Sequence, residues 1–428
     1  MKAPRIALAI ALVAAWWTAA PGDETAPAPD GWRGVAARDE IAPGFEVERA
    51  SEAESYHLVL KGLGNEAVDG HWVRAVPVSA GRYVRFRAEY RATGVATPER
   101  SVLVRVVWLD SKGKRVTVPE FPFTQPETTE GWKVISGVYL VPPEAKNAEL
   151  ELHLRWAPQA TVVWRRAELV PAEAPAARKV RLATINHRPR QSKSPQDNLE
   201  QFGRLIDEAA AAKADIVCLP EGITIVGTPL KYQGVAEPIP GPSTKFLGDC
   251  ARRGKIYVVA GLYERDGKVD YNTSVLIGRD GQLVGKYRKV CLPREEIEGG
   301  LTPGKEYPVF ETDFGRVGMM ICWDVHFPEV ARELAARGAE VILMPIWGGN
   351  ETLARARAIE NQLYLVASGY DFKTAIYDPT GQPLATTTSD PDILVTEVDL
   401  AQRVLWPWLG EFRARIWREG PARPAAEK

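Results

Sequence analysis

Apolar and polar residues alternate with a period of two through the first half of the chain, which is the pattern of half-buried strands. In YVRFRAEYR, residues 83–91, apolar side chains alternate with charged ones. ELELHLRW, residues 149–156, repeats this alternation and ends its apolar face on Trp156. No strong helical pattern interrupts these segments. They predict an all-β, antiparallel sandwich over residues 31–172.

The second half of the chain has a different rhythm, in which strand and helix patterns alternate. Residues 195–214, PQDNLEQFGRLIDEAAAAKA, have the apolar spacing of an amphipathic helix, and the strand pattern DIVCLPE follows directly. Repeated alternation of this kind predicts an α/β domain whose sheet is covered by helices, here over residues 179–400. A linker rich in Pro and Ala at residues 173–178 separates it from the sandwich.

The two ends of the chain are predicted to lie outside these domains. Residues 1–20 carry Lys2 and Arg5, then an apolar run and small residues, which is the pattern of a secretory signal peptide. An uncleaved membrane anchor is the alternative, although the run is short for a membrane span. Residues 21–30 are predicted to be a linker and residues 401–428 a C-terminal extension. We therefore expect an exported protein, which is periplasmic, on the cell surface or secreted.

Charge and cysteine content narrow the possible functions. The net charge is −1 and no basic run stands out, so nucleic acid is not an expected partner. The four cysteines have no spacing typical of zinc ligands, and we predict no metal site. We predict free thiols, with one disulfide among the first three as the alternative. The cysteines are Cys218, Cys250, Cys291 and Cys322.

Three residues with complementary chemistry follow predicted strands of the α/β domain. Glu221 follows DIVCLP, Lys289 lies near the end of QLVGKYRKVCLP, and Cys322 follows RVGMMI. Polar residues just beyond the carboxyl ends of strands are the usual functional positions in α/β folds. A thiol needs a base to become a nucleophilic thiolate, and a lysine can stabilise the oxyanion of acyl transfer. Each residue alone has an ordinary structural interpretation, but the three together predict acyl-transfer chemistry.

The second half of the sequence resembles the nitrilase, or carbon–nitrogen hydrolase, superfamily. The three signatures of that family occur in the family order as LPEG, YRKVCLP and GMMICWDVHFPE. The resemblance implies a four-layer α-β-β-α sandwich in which Glu221 is the general base, Lys289 stabilises the tetrahedral intermediate and Cys322 is the nucleophile. It also implies that the backbone N–H of Trp323 completes the oxyanion hole.

A second glutamate, between the lysine motif and a Pro-Gly turn, is also implied by the resemblance. The segment PREEIEGGLTPG offers Glu295, Glu296 and Glu298. Glu298 fits best, because IEG ahead of the turn matches the amidase branch, and Glu296 is the alternative. We expect Glu298 to orient Lys289 and to help position the substrate or water.

The substrate that the resemblance implies is a small-molecule amide or N-carbamoyl compound, cleaved without a cofactor through a cysteine thioester. The Cys-Trp-Asp sequence favours amides, while nitrile hydrolysis and acyl transfer to an amine are alternatives. His326 stands where family members often have Arg, and it either lines the pocket or binds a substrate carboxylate, or it caps the next helix. Trp347 is either a pocket wall or part of the core. Family members assemble through helices near the nucleophile, so we expect a homo-oligomer.

The predicted sandwich resembles jelly-roll accessory domains of the carbohydrate-binding type, on the basis of its pattern alone. Its tryptophans could contact a glycan, and a glycan-binding protein with an inactive hydrolase scaffold is therefore a second hypothesis. We favour the interpretation that these side chains fill the core of the sandwich. They are Trp72, Trp108, Trp132, Trp156 and Trp164.

Overall fold

A computed structural model gives the fold of the chain over residues 28–49, 56–406, 410–413 and 415–420. The chain divides into two units, one made of the described residues up to Ala174 together with those from Arg418, the other of Pro175–Trp417. The leader predicted at residues 1–20 lies outside the described residues, as does most of the linker predicted at 21–30. Among the described residues, no helix is long and apolar enough to cross a membrane.

The first unit is a β-sandwich whose neighbouring strands pair antiparallel, as the alternating pattern predicted. Its strands are β1 (Arg33–Ala36), β2 (Gly44–Arg49), β3 (Tyr56–Lys61), β4 (Asp69–Pro77), β5 (Tyr83–Thr93), β6 (Val102–Leu109), β7 (Phe123–Thr129), β8 (Trp132–Leu140), β9 (Asn147–Arg155) and β10 (Thr161–Pro171). A short helix, α1 (Pro98–Ser101), precedes β6. One sheet has the order β1-β4-β9-β6 and the other β2-β3-β10-β5-β8-β7.

The core of the sandwich is built from the inward positions of its strands. In β5, Val84, Phe86 and Ala88 are buried, whereas Arg85 and Arg91 are exposed. This follows from the pleat of a strand, in which successive side chains point to opposite faces. The alternation in the sequence therefore fixes which face each side chain takes.

The tryptophans of this unit fall into two groups. Trp72, Trp108, Trp132 and Trp164 are 4 % exposed or less and belong to the core. Trp156 is 46 % exposed, because β9 ends one residue earlier and residue 156 turns away with a φ of +48°. The prediction that Trp156 continues the apolar face of this strand is therefore wrong.

The second unit is the α/β domain that the alternating patterns predicted. Its strands are β11 (Lys179–Asn186), β12 (Ile216–Cys218), β13 (Tyr257–Asp266), β14 (Val269–Ile277), β15 (Leu283–Arg288), β16 (Val309–Glu311), β17 (Arg316–Met319), β18 (Val341–Pro345), β19 (Tyr364–Ser368), β20 (Ala375–Tyr377), β21 (Pro383–Thr386), β22 (Asp392–Asp399), β23 (Leu405–Trp406) and β24 (Gly410–Glu411). The helices that follow α1 are α2 (Pro195–Ala211), α3 (Tyr232–Val235), α4 (Pro242–Gly254), α5 (Arg294–Glu298), α6 (Pro328–Ala336), α7 (Glu351–Asn361) and α8 (Ile416–Glu419).

Two six-stranded sheets pack face to face in this unit, in the orders β15-β14-β13-β12-β11-β22 and β16-β17-β18-β19-β20-β21. The central strands of each sheet pair parallel and the outer strands pair antiparallel. Helices α2 and α4 pack on the first sheet, and α6 and α7 on the second. The result is the α-β-β-α sandwich that the sequence resemblance implied.

Helix α2 shows how the sequence builds one outer layer. Ser194 and Asp197 form a capping box at its start, which satisfies backbone N–H groups that have no acceptor within the helix. The helix ends at Ala211, three residues before the predicted end. Five apolar side chains along one face are buried, as the spacing predicted, and these are Leu199, Phe202, Leu205, Ile206 and Ala209.

Candidate active site

Cys322 occupies a sharp turn between a strand and a helix. β17 ends at Met319, two residues earlier than the pattern predicted, and a 3-10 helix, Cys322–His326, follows. The φ of Cys322 is +43°, and a non-glycine residue with this backbone is strained unless its surroundings enforce the conformation. The thiol donates a weak hydrogen bond to the carbonyl oxygen of Gly348, which lies 3.5 Å away. The turn therefore directs the sulfur toward the loop after β18.

Asp324 holds this turn in place. Its buried carboxylate accepts hydrogen bonds from the N–H of Ile321 at 2.8 Å, the hydroxyl of Tyr287 at 2.7 Å and the N–H of Cys291 at 2.9 Å. Tyr287 and Cys291 flank Lys289 in the chain, so Asp324 connects the cysteine turn of one sheet to the lysine segment of the other. Burial raises the pKa of Asp324, and the three hydrogen bonds oppose that rise.

Glu221 lies in a tight turn after β12 and is 2 % exposed. Gly222 has a φ of +57°, where a side chain would be strained. Gly261 allows the turn to lie against β13, because a Cβ at that position would be 2.7 Å from the Cα of Glu221. The N–H of Ile223 donates to the carbonyl of Gly261 at 3.0 Å. The backbone therefore holds the carboxylate close to the neighbouring strand.

Lys289 directly follows β15 and is buried, with 1 % of its side chain exposed. Its Nζ donates to Oε1 of Glu221 and to Oε1 of Glu296, each at 2.8 Å. Its backbone N–H donates to the carbonyl of Asn272 at 2.8 Å. One ammonium group therefore bridges two buried carboxylates.

Asn272, on β14, is a site residue that the sequence analysis missed. Its Nδ2 donates to the same two oxygens as the lysine, at 2.7 Å to Glu221 and 2.8 Å to Glu296. Asn272 has no exposed surface. A polar amide inside the strand pattern of DYNTSVLI was the available signal, because a buried amide needs partners that the strand itself does not supply.

The structure corrects the assignment of the second glutamate from Glu298 to Glu296. Glu296 is 5 % exposed and bonds to Lys289, whereas the side chain of Glu298 is 62 % exposed and pairs with Arg294 at 2.7 Å. Both lie on the short helix α5, and residues two positions apart on a helix point about 200° apart. Only one of them can face Lys289, and sequence order does not determine which one.

Burial and charge set the protonation of this cluster. Burial lowers the pKa of Lys289, but the charges of Glu221, Cys322 and Glu296 raise it, and the net shift is upward. Burial raises the pKa of Glu296 to about 7, and the charge of Glu221 adds to this rise while Lys289 opposes it. The lysine therefore remains an ammonium at neutral pH.

The thiol is protonated in the resting site. Burial raises the pKa of Cys322 to about 12, and the negative charge of Glu221 acts in the same direction while Lys289 opposes it. For the sulfur to act as a nucleophile, a base would have to remove this proton. Glu221 is the carboxylate whose charge acts on the thiol.

The aromatic residues predicted to contact substrate border the cysteine turn. The ring of Trp323 is 38 % exposed and packs against His326, with ring centroids 4.3 Å apart. His326 does not cap the next helix, whose N-cap is Phe327 without a side-chain bond. Trp347 is half-buried, directly precedes the carbonyl that accepts the thiol hydrogen bond, and meets Tyr370 edge-on at 5.1 Å.

The three other cysteines lie in different surroundings, and all four are free thiols, as predicted. Cys218 is buried in the core between the sheets, and Cys250, on α4, is buried in the core that α2 and α4 form with the first sheet. Burial raises the pKa of both, and it raises the pKa of Cys291 to about 12. Cys322 differs from them because the charge of Glu221 acts on its pKa.

A His/Glu grouping in the sandwich places candidate metal-ligand atoms within 4.8 Å of one another, on His71, Glu151 and His153. Glu151 already pairs with Arg105 and with His153, each at 2.8 Å. Because an arginine neutralises this carboxylate, we interpret the grouping as a buried hydrogen-bonded network.

The α-β-β-α fold, with a thiol, a carboxylate and an ammonium just beyond its strands, is that of the nitrilase superfamily. The chain belongs to the carbon–nitrogen hydrolase family, since the family model described as Carbon-nitrogen hydrolase matches residues 179–407, more than half of the 428 residues. The family that three short motifs indicated is therefore confirmed.

Two relatives of similar sequence agree with this assignment. Omega-amidase NIT2 of Mus musculus is 33 % identical over 249 residues, which cover 51 % of this chain and 87 % of that protein. The Nitrilase of Pyrococcus abyssi (strain GE5 / Orsay) is 36 % identical over 242 residues, which cover 52 % and 90 %. Among solved structures, Saccharomyces cerevisiae Nit3, a member of branch 10 of the nitrilase superfamily, is 27 % identical with a TM-score of 0.47, covering 52 % of this chain and 90 % of that chain. The protein is an enzyme that hydrolyses carbon–nitrogen bonds.

Proposed function

We propose that the protein hydrolyses a small-molecule amide through a thioester on Cys322, with Glu221 as the base and Lys289 as the oxyanion-stabilising cation. The observation that carries this proposal is the buried contact of Lys289 with Glu221 at 2.8 Å beside the strained cysteine. Buried charges are costly, and burying an ammonium and two carboxylates next to a thiol is characteristic of a functional site.

In the first stage, Glu221 takes the proton from Cys322 while the sulfur attacks the amide carbonyl carbon. The carbonyl oxygen becomes an oxyanion, which Lys289 and the N–H of Trp323 stabilise. Trp323 is in the first turn of the 3-10 helix, where backbone N–H groups lack acceptors within the helix. The proton held by Glu221 passes to the nitrogen, the C–N bond breaks and an amine or ammonia leaves.

In the second stage, the same carboxylate activates water. Glu221 takes one proton from a water molecule whose oxygen attacks the thioester carbonyl. The C–S bond breaks, the carboxylic acid leaves and the proton returns to the sulfur. The cycle is balanced, with one water consumed and one C–N bond cleaved.

An amide is the favoured substrate class because an omega-amidase is among the similar proteins. The same thiol chemistry would also serve hydrolysis of an N-carbamoyl compound, hydrolysis of a nitrile, or acyl transfer to an amine. The test below distinguishes these reactions from amide hydrolysis. Trp323, His326 and Trp347 border the thiol and are proposed to contact the acyl group.

The test measures ammonia and acid release from a panel of amides, N-carbamoyl compounds and nitriles, with and without added amine. Replacement of the nucleophile in Cys322→Ala is expected to lower activity by about 10⁴-fold or more. The matched control is Cys291→Ala, which removes a neighbouring thiol and should retain activity. Equal turnover by the wild type and Cys322→Ala would overturn the mechanism.

We also propose that the protein is exported and forms a homo-oligomer. Export rests on the leader pattern alone, and fractionation of cells that express the full chain tests it. Light scattering of the purified protein tests the oligomer. Contact with a glycan through the sandwich is supported only by Trp156, which is exposed beneath the guanidinium of Arg100 at 4.9 Å. Glycan binding that Trp156→Ala does not weaken would exclude that role.

A further inference from the structure

The catalytic cluster contains two carboxylates, one cation and one amide. Nζ of Lys289 and Nδ2 of Asn272 both donate to Oε1 of Glu221 and to Oε1 of Glu296, with all four distances between 2.7 and 2.8 Å. With both carboxylates ionised, the cluster carries one uncompensated negative charge. A buried group in that position takes up a proton rather than remain charged.

Two buried acceptor atoms of the same cluster have no partner among the described residues. They are Oδ1 of Asn272 and Oε2 of Glu296. Buried polar atoms of native proteins are almost always hydrogen-bonded, so each unpaired acceptor calls for a hydrogen. A proton on Oε2 of Glu296 supplies that hydrogen within the cluster.

The groups that face Glu296 do not supply a second positive charge. Lys289 and Asn272 bond to it directly, and its charge is also felt by the hydroxyls of Tyr232 and Tyr263. Both phenols are uncharged at neutral pH, because burial raises their pKa and the nearby carboxylates add to this rise. Glu221 adds only negative charge.

We propose that Asn272 is a positioning residue that ties Glu296 to Glu221, so that Glu296 holds a proton on Oε2 in the resting enzyme and Glu221 remains the ionised base. This proposal rests on the proposed function, since the mechanism needs Glu221 ionised to accept the thiol proton. Of the two carboxylates, Glu296 is then the one that carries the proton.

Asn272 suits this task because an amide donates without adding charge. Its Nδ2 draws the two Oε1 atoms together, and its Oδ1 is the acceptor that a protonated carboxyl can use. An amide facing a protonated carboxyl can form two parallel hydrogen bonds, N–H to O and O–H to O. The pKa of Glu296, raised to about 7 mainly by burial, agrees with this arrangement.

The main test is Glu296→Gln, because a glutamine has the shape of the protonated acid and also donates from the Oε2 position. In the wild type, kcat/KM is expected to fall as the pH rises above about 7, where Glu296 loses its proton. Glu296→Gln should lack this fall and stay within about tenfold of the wild type at its optimum, whereas Glu296→Ala should lose about 100-fold or more.

The positioning role of Asn272 is tested with Asn272→Asp and Asn272→Ala. Asn272→Asp replaces the donor by a third carboxylate and should lower kcat strongly and change the pH profile, with a small effect on KM. Asn272→Ala should lower kcat by about tenfold or more, the effect of losing about one hydrogen bond. The control Asn361→Ala removes a buried asparagine outside the cluster and should leave the pH profile unchanged.

Infrared difference spectra give a readout independent of turnover. The carbonyl stretching band of a protonated carboxyl should disappear as the pH rises through about 7 in the wild type and be missing in Glu296→Gln. The same band in both proteins, or a Glu296→Gln variant as inactive as Glu296→Ala, would overturn the proposal. If the proposed function itself is wrong, Cys322→Ala will remain active. The pH profiles and infrared spectra do not use that variant, so the failure of one proposal can be told from the failure of the other.

Discussion

Each unit of the molecule buries a carboxylate, and the two carboxylates have opposite pKa shifts. In the sandwich, the side chain of Glu89 is 1 % exposed and pairs with Arg87 at 2.5 Å and Arg165 at 2.6 Å. Burial raises the pKa of Glu89, but the hydrogen bonds from both arginines outweigh it and the net shift is downward. In the hydrolase unit, Glu296 shares the single cation Lys289 with another carboxylate, and its pKa rises to about 7.

The number of cations per carboxylate distinguishes these cases. Glu264 lies in the same unit as the active site and is as buried as Glu89, yet it pairs with Lys286 at 2.5 Å and Arg288 at 2.6 Å. Burial raises the pKa of Glu264, and the hydrogen bonds from Arg288 and Lys286 bring it below the usual value. A carboxylate with two cations is a stable structural anion, whereas two carboxylates with one cation retain a titratable proton.

Removal of the shared cation is expected to have the largest effect. Lys289→Met leaves two buried carboxylates without an ammonium and removes the group that we propose as the donor to the oxyanion. We expect kcat/KM to fall by about 100- to 1,000-fold and the free energy of unfolding to fall by about 3–5 kcal/mol. Steady-state kinetics and thermal melting measure the two effects.

The matched control for this experiment is Lys286→Met, three residues earlier in the chain. Glu264 retains Arg288 in that variant, so we expect activity close to that of the wild type. Equal losses in both variants would show that any cation paired with a buried carboxylate matters here, and that sharing between two carboxylates is not the distinguishing feature.

Glu89 and its two arginines in the sandwich allow the complementary experiment, in which we expect a change in stability but none in activity. Glu89→Gln removes the anion between Arg87 and Arg165, and we expect the free energy of unfolding to fall by about 1.5–3 kcal/mol with hydrolase activity unchanged. Because the folded-state pKa of Glu89 is lowered, its contribution is complete above the unfolded pKa and is lost as the pH falls through the folded value. Acid melts should therefore show a smaller loss in Glu89→Gln than in the wild type.

An exposed carboxylate supplies the control for the sandwich. Glu46 pairs with Lys61 at 2.6 Å, and its side chain is 47 % exposed. Exposed ion pairs contribute about 0–1 kcal/mol, so Glu46→Gln should hardly change the melting temperature. Comparable losses in Glu46→Gln and Glu89→Gln would contradict the importance of burial in this comparison.

The sequence predicted the parts of this site that depend on order along the chain. Glu221, Lys289 and Cys322 follow strands, and the period and the order of strands can be read from a sequence because the period follows from local geometry. The buried face of α2 and the inward face of β5 were predicted for the same reason. Three motifs in family order then indicated the fold.

The parts that depend on rotation or on contacts between distant segments were not predictable. Glu296 and Glu298 differ only in which way α5 is turned about its axis, and that is set by packing. Asn272 is recognisable as a site residue only when β14 lies beside the lysine segment. Trp156 was predicted to lie on the apolar face of its strand because it continues the alternating pattern. The strand ends one residue earlier, and an alternating pattern alone does not show where a strand ends.

Asp324 represents a third kind of buried carboxylate, whose three hydrogen bonds all come from neutral donors. Asp324→Asn replaces one acceptor oxygen by an NH₂ group that faces another donor. We expect a loss of about 1–3 kcal/mol in stability, together with slower alkylation of Cys322 by iodoacetamide, because the cysteine turn is no longer fixed. Asp378→Asn is the control, since Asp378 accepts backbone N–H groups in an exposed turn far along the chain. Unchanged alkylation in Asp324→Asn would refute the positioning role.

The smallest effect is expected from Glu298→Gln, and it has a direct bearing on the comparison. Glu298 is two residues from Glu296 on the same helix, but its side chain is 62 % exposed and pairs with the exposed Arg294. We expect stability within about 0.5 kcal/mol of the wild type and an unchanged pH profile, because solvent already satisfies an exposed carboxylate. Measured beside Glu296→Gln, this variant separates the effect of position from that of the substitution. If both variants alter the pH profile equally, a charge anywhere on α5 affects the pH dependence of activity. The sharing of one ammonium by two buried carboxylates would then not explain that pH dependence.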